Sequence, residues 1–116
     1  MPIIEKKVIV LNKAGFSVRL AALFVDRVEK FKSKVAVFKG EEPANGRSII
    51  ALLMLDSKDH APLRLVIDGE DAQEAAEQFE KFFIEESGKT YPPVSYYIFT
   101  VVFVLVLFLI FILNRQ

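Results

Sequence analysis

The chain has 116 residues, 53 % of them apolar, with 15 basic and 15 acidic residues, a formal charge of zero and no cysteine. That length suits one small domain plus an additional segment. The interspersed charge excludes the clustered basic footprint of a nucleic-acid binder, and the lack of cysteine excludes disulfides and thiolate chemistry and fits a reducing compartment.

Lys7 to Leu11 is a short β-rich run and reads as the first strand. Asn12 to Phe16 is a loop, and Leu20, Leu23, Phe24, Val28 and Phe31 mark one face of a helix that Ser17 caps. The most basic stretch, EKFKSKVAVFK, reads as the solvated end of that helix, where cations suit the dipole, running into a second strand over Lys34 to Lys39. Residues 42 to 46 predict a third strand, which Pro43 confines to a sheet edge. In NGRSIIALLML the turn gives way to a short helix with Ser48 as N-cap and Ile49 to Leu55 as body. Asp56 to Pro62 is a loop holding the only histidine, His60, which the sequence treats as solvated. Leu63, Leu65 and Ile67 give the next strand its apolar face. Asp71 and Glu74 have capping-box spacing, and Ala72, Ala75, Ala76, Phe79, Phe82 and Phe83 form the buried stripe of the third helix. The soluble part therefore covers residues 1–86. SGKTYPP (87–93) is a linker in which Gly88 ends the helix and Pro92 and Pro93 stiffen the spacer.

From Val94 to Leu113 the chain carries no charge. At 1.5 Å per residue such a helix is about 30 Å long, the thickness of a bilayer's hydrocarbon. Tyr96 and Tyr97 stand where an interfacial aromatic belt would lie. A small soluble protein rarely holds a helix apolar on every face. The expectation is a single transmembrane span, with 114–116 as a short tail. With no basic start and long apolar run at the N-terminus, the folded part is expected on the cytoplasmic side.

The order β-α-β-β-α-β-α predicts an α+β two-layer, open-faced sandwich: three helices on one face of a four-stranded, mainly antiparallel sheet, followed by the C-terminal transmembrane helix. This order and three motifs resemble HPr, the histidine-containing phosphocarrier of the bacterial sugar phosphotransferase system, from about Glu5 to Glu86. GFSVRLAALFV, with VLNKAG resembling the family's lead-in to its active-site loop, resembles its G-L-H-[AT]-R-P-A-A segment. NGRSIIALLML resembles N-G-K-S-I-M-G-L-[LM]-L, and DGEDAQEA resembles A-D-G-x-D-E-x-x-A. The resemblance implies that Ser17 stands at the histidine position, that Arg19 matches the family's arginine, and that Leu20 replaces its proline.

That substitution falls on the chemistry. An imidazole nitrogen is nucleophilic near neutral pH and leaves readily, so it can take and pass a phosphoryl group. A serine hydroxyl needs a base to activate it, and its ester does not give the phosphate up again. Ser17 reads as an N-cap, and Ser17 with Arg19 as a vestigial anion or partner site at a helix start. Ser48 reads as a cap too, and the resemblance makes it a candidate regulatory phosphosite. The apolar helix after it, with Phe16 and Leu20, is a candidate docking surface through Ile49, Ile50, Leu53 and Met54. DSKDH is a weak metal pattern, and Glu41–Glu42 and Glu85–Glu86 read as solvated ends. No metal, cofactor, small-molecule substrate or enzymatic activity is expected. The sequence points to a membrane-tethered regulatory or interaction module with a protein partner, and not to a histidine phosphocarrier. The alternatives are a regulator switched by phosphorylation at Ser48 and a small structural subunit of a membrane complex.

Overall fold

A computed structural model describes residues 2–89 and 94–115. The elements are β1 (Ile3–Val8), α1 (Val18–Val28), β2 (Lys34–Lys39), β3 (Glu42–Asn45), α2 (Ile49–Met54), a single 3-10 turn (Lys58–His60), β4 (Leu63–Asp68), α3 (Ala72–Glu86) and α4 (Val94–Asn114). The four strands form one sheet in the order β1-β4-β2-β3, every neighbouring pair antiparallel. The predicted α+β open-faced sandwich is what forms.

The sheet's pleat decides the core. Leu63, Leu65 and Ile67 of β4 and Val35 and Val37 of β2 are buried beneath the helices. Arg64, Val66 and Asp68 alternate with the first set and are half-buried on the open face, as period-2 geometry requires. Pro43 sits opposite Phe38 on the edge strand, where its missing N–H costs no ladder bond. α1 buries Leu20, Ala21, Phe24 and Val28, and α3 buries all six residues of its predicted stripe. Phe24 is the hub: its ring centroid lies 5.3 Å from those of Phe79 and Phe83, and 5.6 Å from that of Phe82.

Three expectations require correction. β1 runs from Ile3 to Val8, and Ile9 to Leu11 lie outside it. β1 pairs along β4 from Ile3↔Asp68 to Val8↔Leu63, which uses up β4. Its polar residues are tolerated because Glu5 pairs with Arg64 at 3.2 Å on the open face and Lys6 with Glu80 at 3.4 Å at the helical side. Beyond it, Val10 drops into the core while the Leu11 N–H finds Ser87 Oγ at 2.9 Å rather than a strand.

The capping box at α3 does not form. Asp71 makes no side-chain cap. Its carboxylate instead accepts from the Lys32 N–H at 2.8 Å, from the Ser33 N–H at 3.0 Å and from the Ser33 hydroxyl, joining the start of α3 to the α1–β2 connection. The Ser33 hydroxyl first, then the Lys32 N–H, hold the Asp71 carboxyl below its ordinary value of 3.8. A carboxylate with a depressed folded value stabilises fully above its unfolded value and loses that contribution as pH falls through the folded one. In a fragment ending at Lys89, Asp71→Asn is expected to lower the urea midpoint at pH 7. The gap to the parent should narrow progressively below about pH 4. A gap independent of pH would contradict the linkage.

The third correction concerns the end of α3. Gly88 is not in the left-handed region, and Ser87 terminates the helix. The Ser87 hydroxyl donates to the Phe83 carbonyl and accepts from Leu11 N–H, and the Ser87 carbonyl accepts from Asn12 N–H at 3.0 Å. Pro92 and Pro93 lie outside the described residues.

α4 is 21 residues long. Its stretch Tyr97–Asn114 has a mean hydropathy of 2.8 and is unburied throughout. It is the one described helix long and apolar enough to cross a membrane.

Candidate functional site

The site grows from the loop before α1. Asn12 closes a turn by accepting from Gly15 N–H at 2.9 Å, and its side chain accepts from Ala14 N–H at 3.0 Å. Gly15 has φ +81°, and a Cβ there would lie 2.5 Å from Ser57 Oγ. Glycine is required twice over, for the left-handed backbone and for the close approach. Ser57 itself is buried, and its hydroxyl accepts from Phe16 N–H at 2.9 Å. The half-buried Phe16 ring packs on Phe24 and Phe83 at 6.5 and 5.9 Å. The residue preceding Ser17 is thereby held from both backbone and side chain.

Gly15→Ala should therefore destabilise the Lys89-terminated fragment by about 1–3 kcal/mol and broaden the amide signals of residues 12–17. An NMR spectrum unchanged in that loop, with an unchanged urea midpoint, would contradict the close-packing argument.

Ser17 is exposed, with an extended backbone (φ −89°, ψ 165°), and its Oγ accepts from Leu20 N–H at 3.0 Å. That is N-cap geometry, and such a cap contributes about 1 kcal/mol. No acidic residue occupies the first turn of α1. Arg19 is half-buried two residues further on.

The His60 loop packs beside this site. Asp59 N–H donates to Lys13 carbonyl at 2.8 Å, and His60 Nε2 lies 2.9 Å from the Leu11 carbonyl. With the Ser57 contacts, the loop 56–61 forms a wall against the loop 12–16. Asp59 and His60 both adopt positive φ, 57° and 59°, a conformation that Asp and His tolerate better than most residues. The Lys13–Asp59 pair, 4.0 Å apart and well exposed, adds little. At the other side of the wall the Lys39 ammonium, 3.0 Å from Asp56, hydrogen-bonds that carboxyl and holds it below its ordinary value, helped by Lys58 N–H.

Ser48 sits elsewhere. Its Oγ caps α2 by accepting from Ala51 N–H at 3.1 Å. The neighbouring Arg47 donates to the carbonyls of Phe31 and Ser33 at 3.0 and 3.2 Å and pairs with Glu29 at 3.3 Å. Those partners follow the last turn of α1 or belong to its C-cap, so Ser48 lies toward the end of α1 opposite Ser17. α2 runs back from there, and its Met54 end leads through Leu55 to Ser57 beside Phe16. The proposed docking surface is only partly surface. Ile50 and Met54 are 71 % and 75 % exposed, while Ile49, Leu53 and Phe16 are half-buried against the core. Leu20 is 3 % exposed and belongs to the core, because its place in the first turn of α1 points under the helix and not outward. Val18, at 65 % exposure, takes its place at the rim.

Sequence reasoning missed the three buried polar side chains, Ser33, Ser57 and Ser87. Each ties two distant segments. Among the described residues there is no group of His, Asp and Glu arranged to hold a metal ion.

The comparisons with known proteins agree with this architecture. Residues 4–85 match the family described as the PTS HPr component phosphorylation site. The HPr-like protein Crh of Bacillus subtilis is 36 % identical over 83 residues, covering 72 % of this chain and 98 % of that protein. The phosphocarrier protein HPr of Neisseria meningitidis is 33 % identical over 72 residues, covering 62 % of this chain and 81 % of its own length. Among solved structures, HPr from Bacillus anthracis superposes with a TM-score of 0.63 at 29 % identity, covering 69 % of this chain and 95 % of its own. Crh of B. subtilis, solved as a swapped-domain dimer, superposes with a TM-score of 0.59 at 36 % identity, covering 72 % and 95 %. With its fold, its three motifs and a family match over residues 4–85, the chain belongs to the HPr family of the phosphotransferase system.

Proposed function

We propose that this chain is a membrane-tethered, regulatory or protein-interaction member of the HPr family, not an enzyme, and that it does not relay phosphate through histidine. Ser17 carries the reading: it stands at the helix start that the family motif assigns to the phosphorylated histidine, and its oxygen is engaged as an N-cap. A cap hydroxyl without a base is a poor nucleophile, and its ester is a poor phosphoryl donor. The chain's only histidine is bound to the Leu11 carbonyl in the neighbouring loop. The uncharged helix Tyr97–Asn114 supports the tether, with the folded domain on the cytoplasmic side. Tethering raises the effective concentration of the domain near membrane-bound partners. The B. subtilis relative Crh, 36 % identical and described in its solution structure as the catabolite repression HPr, supports a regulatory role.

Expression of the full chain in a bacterium deleted for its own HPr tests this. Growth on a phosphotransferase sugar should not return, and restored growth would overturn the reading.

A regulatory switch at Ser48 is the second reading. It is favoured by a half-exposed hydroxyl at the start of α2, whose first turn holds no acidic residue. A phosphate there would meet the helix dipole favourably. A Ser48→Ala variant that loses phosphate incorporation by a cell extract would support it, and one that incorporates phosphate like the parent would dismiss it.

A further inference from the structure

We propose that the apolar patch formed by Ile9, Leu11 and Ile84 rests in the interfacial layer of the bilayer, so that the domain is seated on the membrane in one orientation and does not swing freely on its tether. The inference rests on the membrane reading of α4.

The patch surrounds the root of the tether. Ile9, Leu11 and Ile84 are 39 %, 43 % and 66 % exposed. With Phe83 they line a groove of about 250 Å3 flanked by Lys7 and Glu80. The root is rigid: Ser87 is bonded to Leu11 and Asn12, and Gly88 lies against Leu11, where an added Cβ would be 3.3 Å from the Leu11 Cβ. Lys89 is held by its N–H to the Glu86 carbonyl at 3.3 Å and by its ammonium to the Glu86 carboxylate at 3.0 Å.

Covalent geometry then limits the distance to the membrane. Lys89 and Val94 are five peptide steps apart, a reach of at most about 18 Å. The most apolar stretch begins at Tyr97, three residues into α4, which adds about 4.5 Å. The headgroup layer itself takes up roughly 5–8 Å of this. The root therefore stays within about 18 Å of the headgroups, a gap narrower than the ~30 Å diameter of a small folded domain. A soluble protein partner does not fit between patch and bilayer, whereas the lipid interface accepts aliphatic side chains directly. Most charges around the patch are paired, Lys6 with Glu80, Lys81 with Glu85 and Lys89 with Glu86, and Lys7 adds one cation at the groove's rim. Contact with lipid is therefore mainly apolar and needs no anionic headgroups. Seated this way, the patch is covered, and the α2 face bearing Ile50 remains open to a partner.

The chain has no cysteine, so single-cysteine variants report cleanly. The full chain carrying Leu11→Cys, Ile84→Cys, Ile50→Cys or Glu70→Cys is labelled with an environment-sensitive fluorophore. It is then reconstituted in phosphatidylcholine vesicles containing lipids nitroxide-labelled near the headgroup. Labels at positions 11 and 84 are expected to be blue-shifted and quenched several-fold more than those at 50 and 70, unchanged in high salt. Equal quenching at all four positions, or stronger quenching at 50, in chains that cosediment with the vesicles would overturn the seating while leaving the tether intact. Protection at 11 and 84 that persists in detergent and vanishes on dilution would assign the patch to a second copy and likewise overturn it. A chain that does not cosediment would refute the membrane reading itself, and the seating with it.

Discussion

Ser17→His is expected to let this chain accept a phosphoryl group at the start of α1. Incubated with phosphoenolpyruvate and the first enzyme of the phosphotransferase system, the variant should acquire an acid-labile phosphate, and the parent none. The position is ready for it. Ser17 is exposed at the first turn of α1, no acidic residue lies in that turn, and the preceding loop is anchored through Gly15, Phe16 and Ser57. An imidazole there would present a nitrogen to the donor, and the phosphate formed would face the amide N–H groups of the helix start. Losing the serine cap costs about 1 kcal/mol, which leaves the domain folded. A variant with unchanged circular dichroism that stays unphosphorylated would show that more than the nucleophile separates this chain from a carrier. Leu20 is the first residue to test next, since the family motif has proline in its place.

Phe24→Ala should have the largest effect on stability. The Phe24 ring of α1 has no exposure and touches Phe16, Phe79, Phe82 and Phe83, which lie in the loop leading to Ser17 and in α3. Removing a buried phenyl ring costs about 3–5 kcal/mol, from lost transfer free energy plus the cavity left behind. A domain this small has roughly 5–15 kcal/mol in all. The cavity would open directly beneath Phe16, so the loop 12–17 should loosen along with the core. Urea denaturation of the fragment ending at Lys89 measures the first effect, and hydrogen exchange at residues 12–21 the second. A loss below about 1.5 kcal/mol would mean that the aromatic cluster is not the keystone of the two-layer packing.

These two sites differ in how far the sequence revealed them. The stripe of α3 was legible because six small or aromatic residues repeat at helical spacing, and the alternation of Leu63, Leu65 and Ile67 marked β4 in the same way. Ser17 and Ser48 were legible as caps because a cap acts on a residue three positions away. The tertiary use of polar side chains was not legible. Asp71 looked like a local cap and serves Ser33 across 38 residues, Ser57 serves Phe16 across 41, and Ser87 serves Leu11 across 76. None of these pairings leaves a periodic trace. The strand boundary at Val8 failed for a related reason. Ile9 to Leu11 have the composition of a strand, but β4 has no residue left to pair with them. The wall that His60 helps build beside the site was hidden behind two positive-φ residues that no local pattern announces.

The most direct measurement is phosphoryl transfer with the unaltered full chain. Vesicle-reconstituted protein is incubated with phosphoenolpyruvate and the first enzyme of the system, and its intact mass is read before and after acid treatment. No phosphate adduct is predicted, in the presence or absence of a sugar-transport acceptor. An acid-labile adduct that disappears when the acceptor and its sugar are added would contradict the account.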